Sequence, residues 1–359
     1  MRTFSYPGDI YNATPPRVVF GPGSATGVGD EVAHLGCRRA LVISTPGRVE
    51  LAASVGRTIG DRCVGILDEA VTQVPIELVL RSRVHAAEVG ADCLVSVGGG
   101  AATGLTKAIA LELALPIIAV PTTYAGSEMT AFCGITIDGV KRMHANLAML
   151  ASTVVYDAEL SVSLPPAVTA ASSMNALAHC VDAIYLPNLS PLLAHAPVEG
   201  ASVVASSLLK VLSDPNNRDH RNELLYGAYL AGTALTGGYA LQHDLAHALG
   251  GSFGVEHGLA HALVLPHVAA YNQRFAPDPV GRIAAALKTD NLGGSLFDLL
   301  EASGLPTRLS DVGLVERDLE RAVQIAMSIE SDHGSNPGPV TEAALRDILR
   351  RAHAGQRPD

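Results

Sequence analysis

An α/β domain built on a parallel sheet, followed by an all-α domain, is the architecture this sequence predicts, and three observations carry it. Through the first half, short apolar runs alternate with helix-length segments, each run closing on Gly or Pro. From about Leu164-Pro165-Pro166 onward the strand-like runs almost vanish and Ala-rich helical stretches take over. The chain has 359 residues, 48% of them apolar, which is more than one ordinary core holds, so two domains are expected. The division is placed between residues 161 and 162, giving an α/β domain over 1–161 and a helical domain over 162–359.

The elements follow in order. RVVFGPG from Arg17 reads as a strand ending in a turn; Gly21-Pro22-Gly23 with Gly27 lacks the GxGxxG spacing of a nucleotide fingerprint. Arg38 to Ser44 is an apolar strand ending at Thr45-Pro46-Gly47, and Arg62 to Leu67 is a second candidate. Ala91 to Val97 runs into Gly98-Gly99-Gly100, Thr103 to Leu113 reads as a helix, and the strand Leu115 to Val120 opens a polar loop at Pro121. This alternation predicts a sheet of the dinucleotide-binding kind. In the second half, helices are expected over Ala167 to Ala183, Val198 to Leu212, Asn222 to Leu235 and Val340 to Ala354.

Composition excludes several classes. No apolar run reaches the roughly 18 residues of a membrane span, and Met1-Arg2-Thr3-Phe4 leads into polar, Pro-bearing sequence instead of a signal-peptide core. A soluble, cytoplasmic protein is therefore expected. The five cysteines are scattered without a CxxC, which indicates neither a disulfide framework nor a zinc ribbon. A net charge of −10 without a Lys/Arg-rich run argues against nucleic acid as a partner.

Two loops bear on a cofactor. Gly98, Gly99 and Gly100 lie between a strand and a helix, where bare backbone N–H groups and the positive end of the helix can cradle a pyrophosphate. A tight strand-to-helix turn needs glycine as well. The second loop, Pro121-Thr122-Thr123-Tyr124-Ala125-Gly126-Ser127-Glu128-Met129-Thr130, follows the next strand and is dense in hydroxyls. Loops at the carboxyl ends of strands line the ligand crevice of such sheets. Two on consecutive strands point to a site more than to ordinary connections.

Histidines dominate the second half. His243, His247, His257, His261 and His267, five of the chain's thirteen, crowd into LQHDLAHALGGSFGVEHGLAHALVLPH, a density unlike scattered surface histidines, and His179 lies upstream, four residues after Asn175. Residues four apart share a helix face, so Asn175 with His179 and His243 with His247 form two inward-pointing pairs, and His257 follows the GlyGly of the next turn. An imidazole cluster suits Zn or Fe(II), although a neutral Asn amide poorly replaces the carboxylate that usually completes such a set.

These motifs together resemble the iron-containing (group III) alcohol dehydrogenases and, within them, the maleylacetate reductases. The resemblance runs from RVVFGPG through RALVISTP, VGGGAATGLTKAIAL, AVPTTYAGSEMT, MNALAHCVDAIY and the histidine run to LPHVAAYN and NPGPVT. It implies NADH or NADPH as cofactor, held by Gly98, Gly99, Gly100, Thr103, Thr122, Thr123, Ser127, Thr130 and Thr45. Thr45 stands where many of these enzymes carry an Asp that would repel a 2′-phosphate, and Arg48 is a candidate for holding one, against a solvated arginine. The family's metal ligands, an Asp and three His, map onto Asn175, His179, His243 and His257, with His247 at a nearby catalytic histidine. The missing aspartate matches the maleylacetate reductases, which as a group are thought to work without bound metal. Likewise Gly104 stands where the family's GGGSxxDxxK loop has its acid, while Lys107 is retained.

The implied reaction is reduction of maleylacetate to 3-oxoadipate in hydroxyquinol-type aromatic degradation. Hydride adds to the alkene carbon β to the ketone, and the resulting enolate is within reach of histidine donors without a Lewis acid. His243, with His179 or His257, is expected to stabilise that enolate, and His247 to share this role or deliver the proton. A dicarboxylate also needs charge-assisted donors; Tyr124, Asn175, Lys141 and Arg142 are the candidates, with His144 beside them. KRMHANLAM at Lys141 and NPGP at Asn336 depart from the subgroup's usual KTT and NPRP, and Gly338 removes a possible carboxylate-binding arginine. The alternatives are an Fe- or Zn-dependent alcohol or polyol dehydrogenase, and a 3-dehydroquinate-synthase-like cyclase, which would want a Lys- and Arg-lined phosphate pocket. A homodimer is expected because relatives commonly form one.

Overall fold

The structure, a computed structural model, describes residues 16–187, 189–329 and 335–359. The chain divides into two compact units, Pro16–Thr169 with Ser213–Leu225, and Ala170–Leu212 with Tyr226–Asp359.

The first unit is an α/β layer structure. Its strands are β1 (Arg17–Phe20), β2 (Ala40–Ile43), β3 (Cys63–Leu67), β4 (Cys93–Gly98), β5 (Ile117–Pro121), β6 (Phe132–Ile137), β7 (Val140–Ala145) and β8 (Thr153–Tyr156), interleaved with helices α1 (Val28–His34), α2 (Val49–Ile59), α3 (Ile76–Glu88) and α4 (Gly100–Leu113). Six strands form one parallel sheet in the order β1-β8-β5-β4-β2-β3. The inner strands β2, β4, β5 and β8 are buried along their whole length, as strands covered on both faces must be, while β1 and β3 at the edges are half-exposed. One face of the sheet packs Val42, Val95, Val97, Ile118, Val120 and Val155 against Val28 and Val32 of α1 and Ala52, Val55 and Ile59 of α2.

The strands read from the sequence at residues 38–44, 62–67, 91–97 and 115–120 appear as β2 to β5 with ends shifted by a few residues. The helix expected from Thr103 begins at Gly100, because Gly99 is already its N-cap. Lys141, Arg142 and His144, for which no strand was expected, lie on β7, which pairs antiparallel with β6 in a separate two-stranded ribbon turning at Asp138-Gly139. Asp-Gly is a favoured hairpin turn, and here it outweighs the polarity of the strand that follows.

Beyond residue 162 the chain is helical: α5 (Pro166–Ile184), α6 (Ala196–Ser213), α7 (Arg218–Leu235), α8 (Leu241–Phe253), α9 (His257–Gln273), α10 (Pro277–Ala286), α11 (Leu292–Ala302), α12 (Glu316–Ser328) and α13 (Glu342–Ala354). In the second unit α9 is central and packs against α8, α10, α11 and α13. The division expected at 161/162 falls just before α5, whereas the compact units separate at 169/170, inside that helix. A single cut also cannot represent Ser213–Leu225, which groups with the first unit. Buried Arg221 donates from Nε to the Pro215 carbonyl (2.6 Å), from Nη1 to the Tyr124 hydroxyl (3.1 Å) and from Nη2 to the Val162 carbonyl (3.3 Å). No helix among the described residues is long and apolar enough to cross a membrane.

Candidate active site

In the first unit the sheet itself locates a ligand crevice. The chain passes from β2 outward to β3, then crosses back to β4 on the other side of β2, so the order reverses between β2 and β4. Ligands of open α/β sheets bind beyond the carboxyl ends of strands at such a reversal. Thr45 follows β2 and Gly98-Gly99-Gly100 closes β4 and opens α4. A methyl group on Gly99 would lie 2.7 Å from Cγ2 and 2.9 Å from Oγ1 of Thr123, so glycine there lets the two loops meet; at Gly100 the same position is open. The Thr122 N–H donates to the Gly98 carbonyl (3.0 Å), which joins the loops again. The hydroxyls of Thr122 and Ser127 are buried and have no hydrogen-bond partner among the described residues. With the uncapped N-terminus of α4, they make a set of donors suited to a pyrophosphate and its sugars. Thr103 instead turns inward, its hydroxyl 3.3 Å from that of Ser96.

Lys107 braces this loop from below. Its ammonium donates to the Ser127 carbonyl (2.6 Å), the Thr130 hydroxyl (2.8 Å) and the Phe132 carbonyl (3.0 Å), and burial pushes its pKa down to about 8. Thr130 is thereby a structural link, donating in turn to the Ser127 carbonyl at 2.9 Å. Tyr124, expected at the substrate, is fully buried, its hydroxyl donating to Ser161 (3.2 Å) and accepting from Arg221. That geometry anchors the loop and corrects the substrate reading, because the phenol has no open face. Arg48 is half-buried and donates to the Ser163 hydroxyl (2.8 Å), so it is not merely solvated, and burial lowers its pKa. Arg142 is exposed, whereas burial lowers the pKa of Lys141, beside Cys133 on the neighbouring strand.

The histidines gather in the second unit. His179 on α5, His243 and His247 on α8, and His257 and His261 on α9 form one cluster of imidazoles, with neighbouring ring centroids 4.6 to 6.2 Å apart. Asn175 is buried one turn before His179. The start of α9 can approach α5 because residue 258 is glycine: a Cβ there would lie 2.9 Å from the carbonyl of Ala171. Glu256 caps the helix by accepting from the N–H groups of Gly258 and Leu259, which sets His257 on its first turn. His247 and His257 are half-buried; His179, His243 and His261 are buried.

A buried carboxylate absent from the expected site residues holds one member of the cluster, His243. Asp182, fully buried on α5 three residues after His179, accepts from Nδ1 of His243 at 2.7 Å and from the backbone N–H groups of Ala240 (2.6 Å) and His243 (3.3 Å) through Oδ2. Its Oδ1 accepts from the Tyr185 hydroxyl. Nε2 of His243 lies 2.8 Å from Nδ1 of His179. Tyr239 stacks on the His243 ring with centroids 4.9 Å apart, and its own phenol is pushed up to about 12, mainly by burial. His261 was also missed as a site residue. Burial and the surrounding histidines drive its pKa well below the ordinary value, and its Nε2 has no hydrogen-bond partner among the described residues. The spacing His179-x-x-Asp182 on one helix face was the signal available for Asp182.

Does the ligand set that the resemblance implies fit a metal? His243 has Nδ1 committed to Asp182 and Nε2 to His179, and Asn175 offers a neutral amide where a carboxylate is wanted. As arranged, Asn175, His179, His243 and His257 do not fit a metal. Three imidazoles, those of His247, His257 and His261, each offer one nitrogen within 4.8 Å of the other two. Gly338 near the C-terminus is held by packing: a Cβ would meet Tyr271 at 2.5 Å and Phe275 at 2.7 Å, which leaves no room for an arginine in this arrangement.

The family models agree with both halves. Residues 15–158 match the iron-containing alcohol dehydrogenase model, and residues 169–353 match the C-terminal model of the same family. The chain belongs to the iron-containing alcohol dehydrogenase family and is an oxidoreductase. Within the family it is 40% identical to the maleylacetate reductase of Pseudomonas sp. (strain P51) over 97% of this chain and 99% of that one. Among solved structures it is similar to maleylacetate reductase from Rhizobium sp. strain MTP-10005, with TM-score 0.92 and 38% identity, covering 98% of this chain and 100% of the other. It is likewise similar to a putative alcohol dehydrogenase from Ralstonia eutropha JMP134, with TM-score 0.95 and 42% identity, covering 99% and 100%.

Proposed function

We propose that the protein is a cytoplasmic, homodimeric reductase that uses NADH or NADPH to reduce the conjugated C=C of maleylacetate, giving 3-oxoadipate in the degradation of aromatic compounds. The observation that carries this reading is a cluster of five imidazoles in which His179 and His243 share a hydrogen bond and His243 is held by Asp182, with Asn175 in place of a metal-binding carboxylate. Similarity to maleylacetate reductases over nearly the whole chain supports the choice of substrate.

Bound NADH or NADPH would supply the hydride, and the Gly98-Gly99-Gly100 turn with the Thr122 and Ser127 hydroxyls would hold its pyrophosphate and sugars. The N–H groups of the histidine cluster meet the ketone oxygen and strengthen their hydrogen bonds as negative charge moves onto it. His247 and His257, the half-buried members, are the donors an incoming substrate reaches first. The alkene carbon β to the ketone gains the hydride, the C=C π pair becomes the enolate, and one proton from an imidazolium, assigned to His247, closes the α carbon. One hydride and one proton are consumed, and the ketone survives.

With dihydronicotinamide deuterated at the transferring position, the product is expected to be 3-oxoadipate carrying one deuterium on the carbon β to the ketone, and His247→Ala is expected to slow turnover at least 100-fold, on the order of the 10²–10⁴ that general acids contribute. Deuterium on the former carbonyl carbon would mean a hydroxy acid product and ordinary alcohol dehydrogenase chemistry. The latter reading has one observation in its favour, the grouping of His247, His257 and His261.

A further inference from the structure

The geometry points to Asp182 as a positioning residue for the reaction: its carboxylate holds His243 in the Nδ1–H tautomer and, through it, fixes the ring of His179. This deepens the reading above and rests on the histidine cluster being the reaction centre. The argument is one of donors and acceptors. Oδ2 of Asp182 already accepts from two backbone N–H groups at the start of α8, and Oδ1 accepts from the Tyr185 hydroxyl. Every contact on the carboxylate is with a donor, so the 2.7 Å contact from His243 must also bring a proton, on Nδ1. Nε2 of His243 then carries a lone pair, and the 2.8 Å contact with His179 requires that Nδ1 of His179 donate.

The chain of bonds runs one way, from His179 through His243 to Asp182, and all three groups are buried. Two consequences follow. His243 has no ring nitrogen left for a ligand, so the enolate-stabilising role expected for it passes to its neighbours and His243 acts through His179. His179 is held by Nδ1 with its Nε2 edge turned away from His243, the two rings meeting edge to edge with planes 23° apart and centroids 4.9 Å apart. A histidine oriented by a carboxylate through another hydrogen bond is the arrangement in which loss of the carboxylate's acceptor character disturbs the tautomer and costs rate while leaving the fold in place.

The test is nitrogen-15 NMR of the imidazoles in the full-length wild-type enzyme and in Asp182→Asn, combined with steady-state kinetics. In the wild type, His243 is expected to carry its proton on Nδ1. In Asp182→Asn, which keeps an oxygen to accept from Ala240, that signature is expected to be lost, with kcat reduced on the order of 10²-fold or more and KM for maleylacetate changed by less than about threefold. Tyr185→Phe, which spares Oδ2, is expected to keep the tautomer. A wild-type His243 protonated on Nε2 would overturn the proposal without any variant, and so covers the case in which Asp182→Asn does not fold. A folded Asp182→Asn with unchanged kcat overturns it as well. In that event His179→Ala separates the two claims: if His179→Ala is inactive, Asp182 alone was misassigned, and if it too is fully active, the cluster is not the reaction centre.

Discussion

His267 follows Pro266 inside α9, is 3% exposed, and neither of its ring nitrogens finds a hydrogen-bond partner among the described residues. Burial, helped by Arg351 and opposed by Asp347, holds its pKa down at about 4, below the ordinary value of 6.5. Between these two values the unfolded chain binds a proton that the folded chain refuses, so stability is present above pH 6.5 and is lost as the pH falls toward 4. The loss amounts to about 3 kcal/mol at most, taking 1.36 kcal/mol for each unit. Urea midpoints measured from pH 7 to 4 are expected to fall less steeply in His267→Leu than in the wild type; parallel curves would show that His267 charges freely in the folded state. The same residue marks a limit of sequence reading. His267 belongs to the histidine run by spacing, yet it faces Phe297 of α11, apart from the five clustered rings. The density of histidines was legible, whereas Asp182 and His261 acquire meaning only when α5, α8 and α9 are brought together.

Among elements, those whose burial is written as uninterrupted apolar runs were legible: β2, β4 and β5 are buried strands bounded by Gly, Pro or polar residues. The ribbon of β6 and β7 was not, because Lys141-Arg142-Met143-His144 carries the polarity of a loop and its strand character comes from pairing. The first turn of α7, before the helix expected from Asn222, was hidden for a different reason. Its sequence, Arg218-Asp219-His220-Arg221, is wholly polar, yet Arg221 is 1% exposed and ties the segment to Tyr124 in the loop after β5. Arg221→Met keeps the bulk and removes the donors, leaving two carbonyls and a hydroxyl short of a partner. It is expected to destabilise the protein by about 3 kcal/mol, read as a lower denaturant midpoint, and to weaken NADH binding through the loosened loop. Unchanged NADH affinity in a destabilised variant would confine Arg221 to a stability role.

At the scale of the whole molecule, two units divide the work: a parallel sheet whose strand order reverses beside a glycine turn, and a helical unit that gathers five histidines, one of them, His243, held by a buried carboxylate. The central claim is that this assembly reduces a conjugated C=C with imidazole donors alone, in a family named for its iron. Asn175 and the full commitment of the His243 nitrogens are the reasons for it. The most direct measurement is NADH consumption with maleylacetate by chelator-treated enzyme whose residual metal content has been determined. The account predicts undiminished turnover with metal far below one ion per chain. Turnover that is lost on chelation and returns with added Fe(II) or Zn would contradict it.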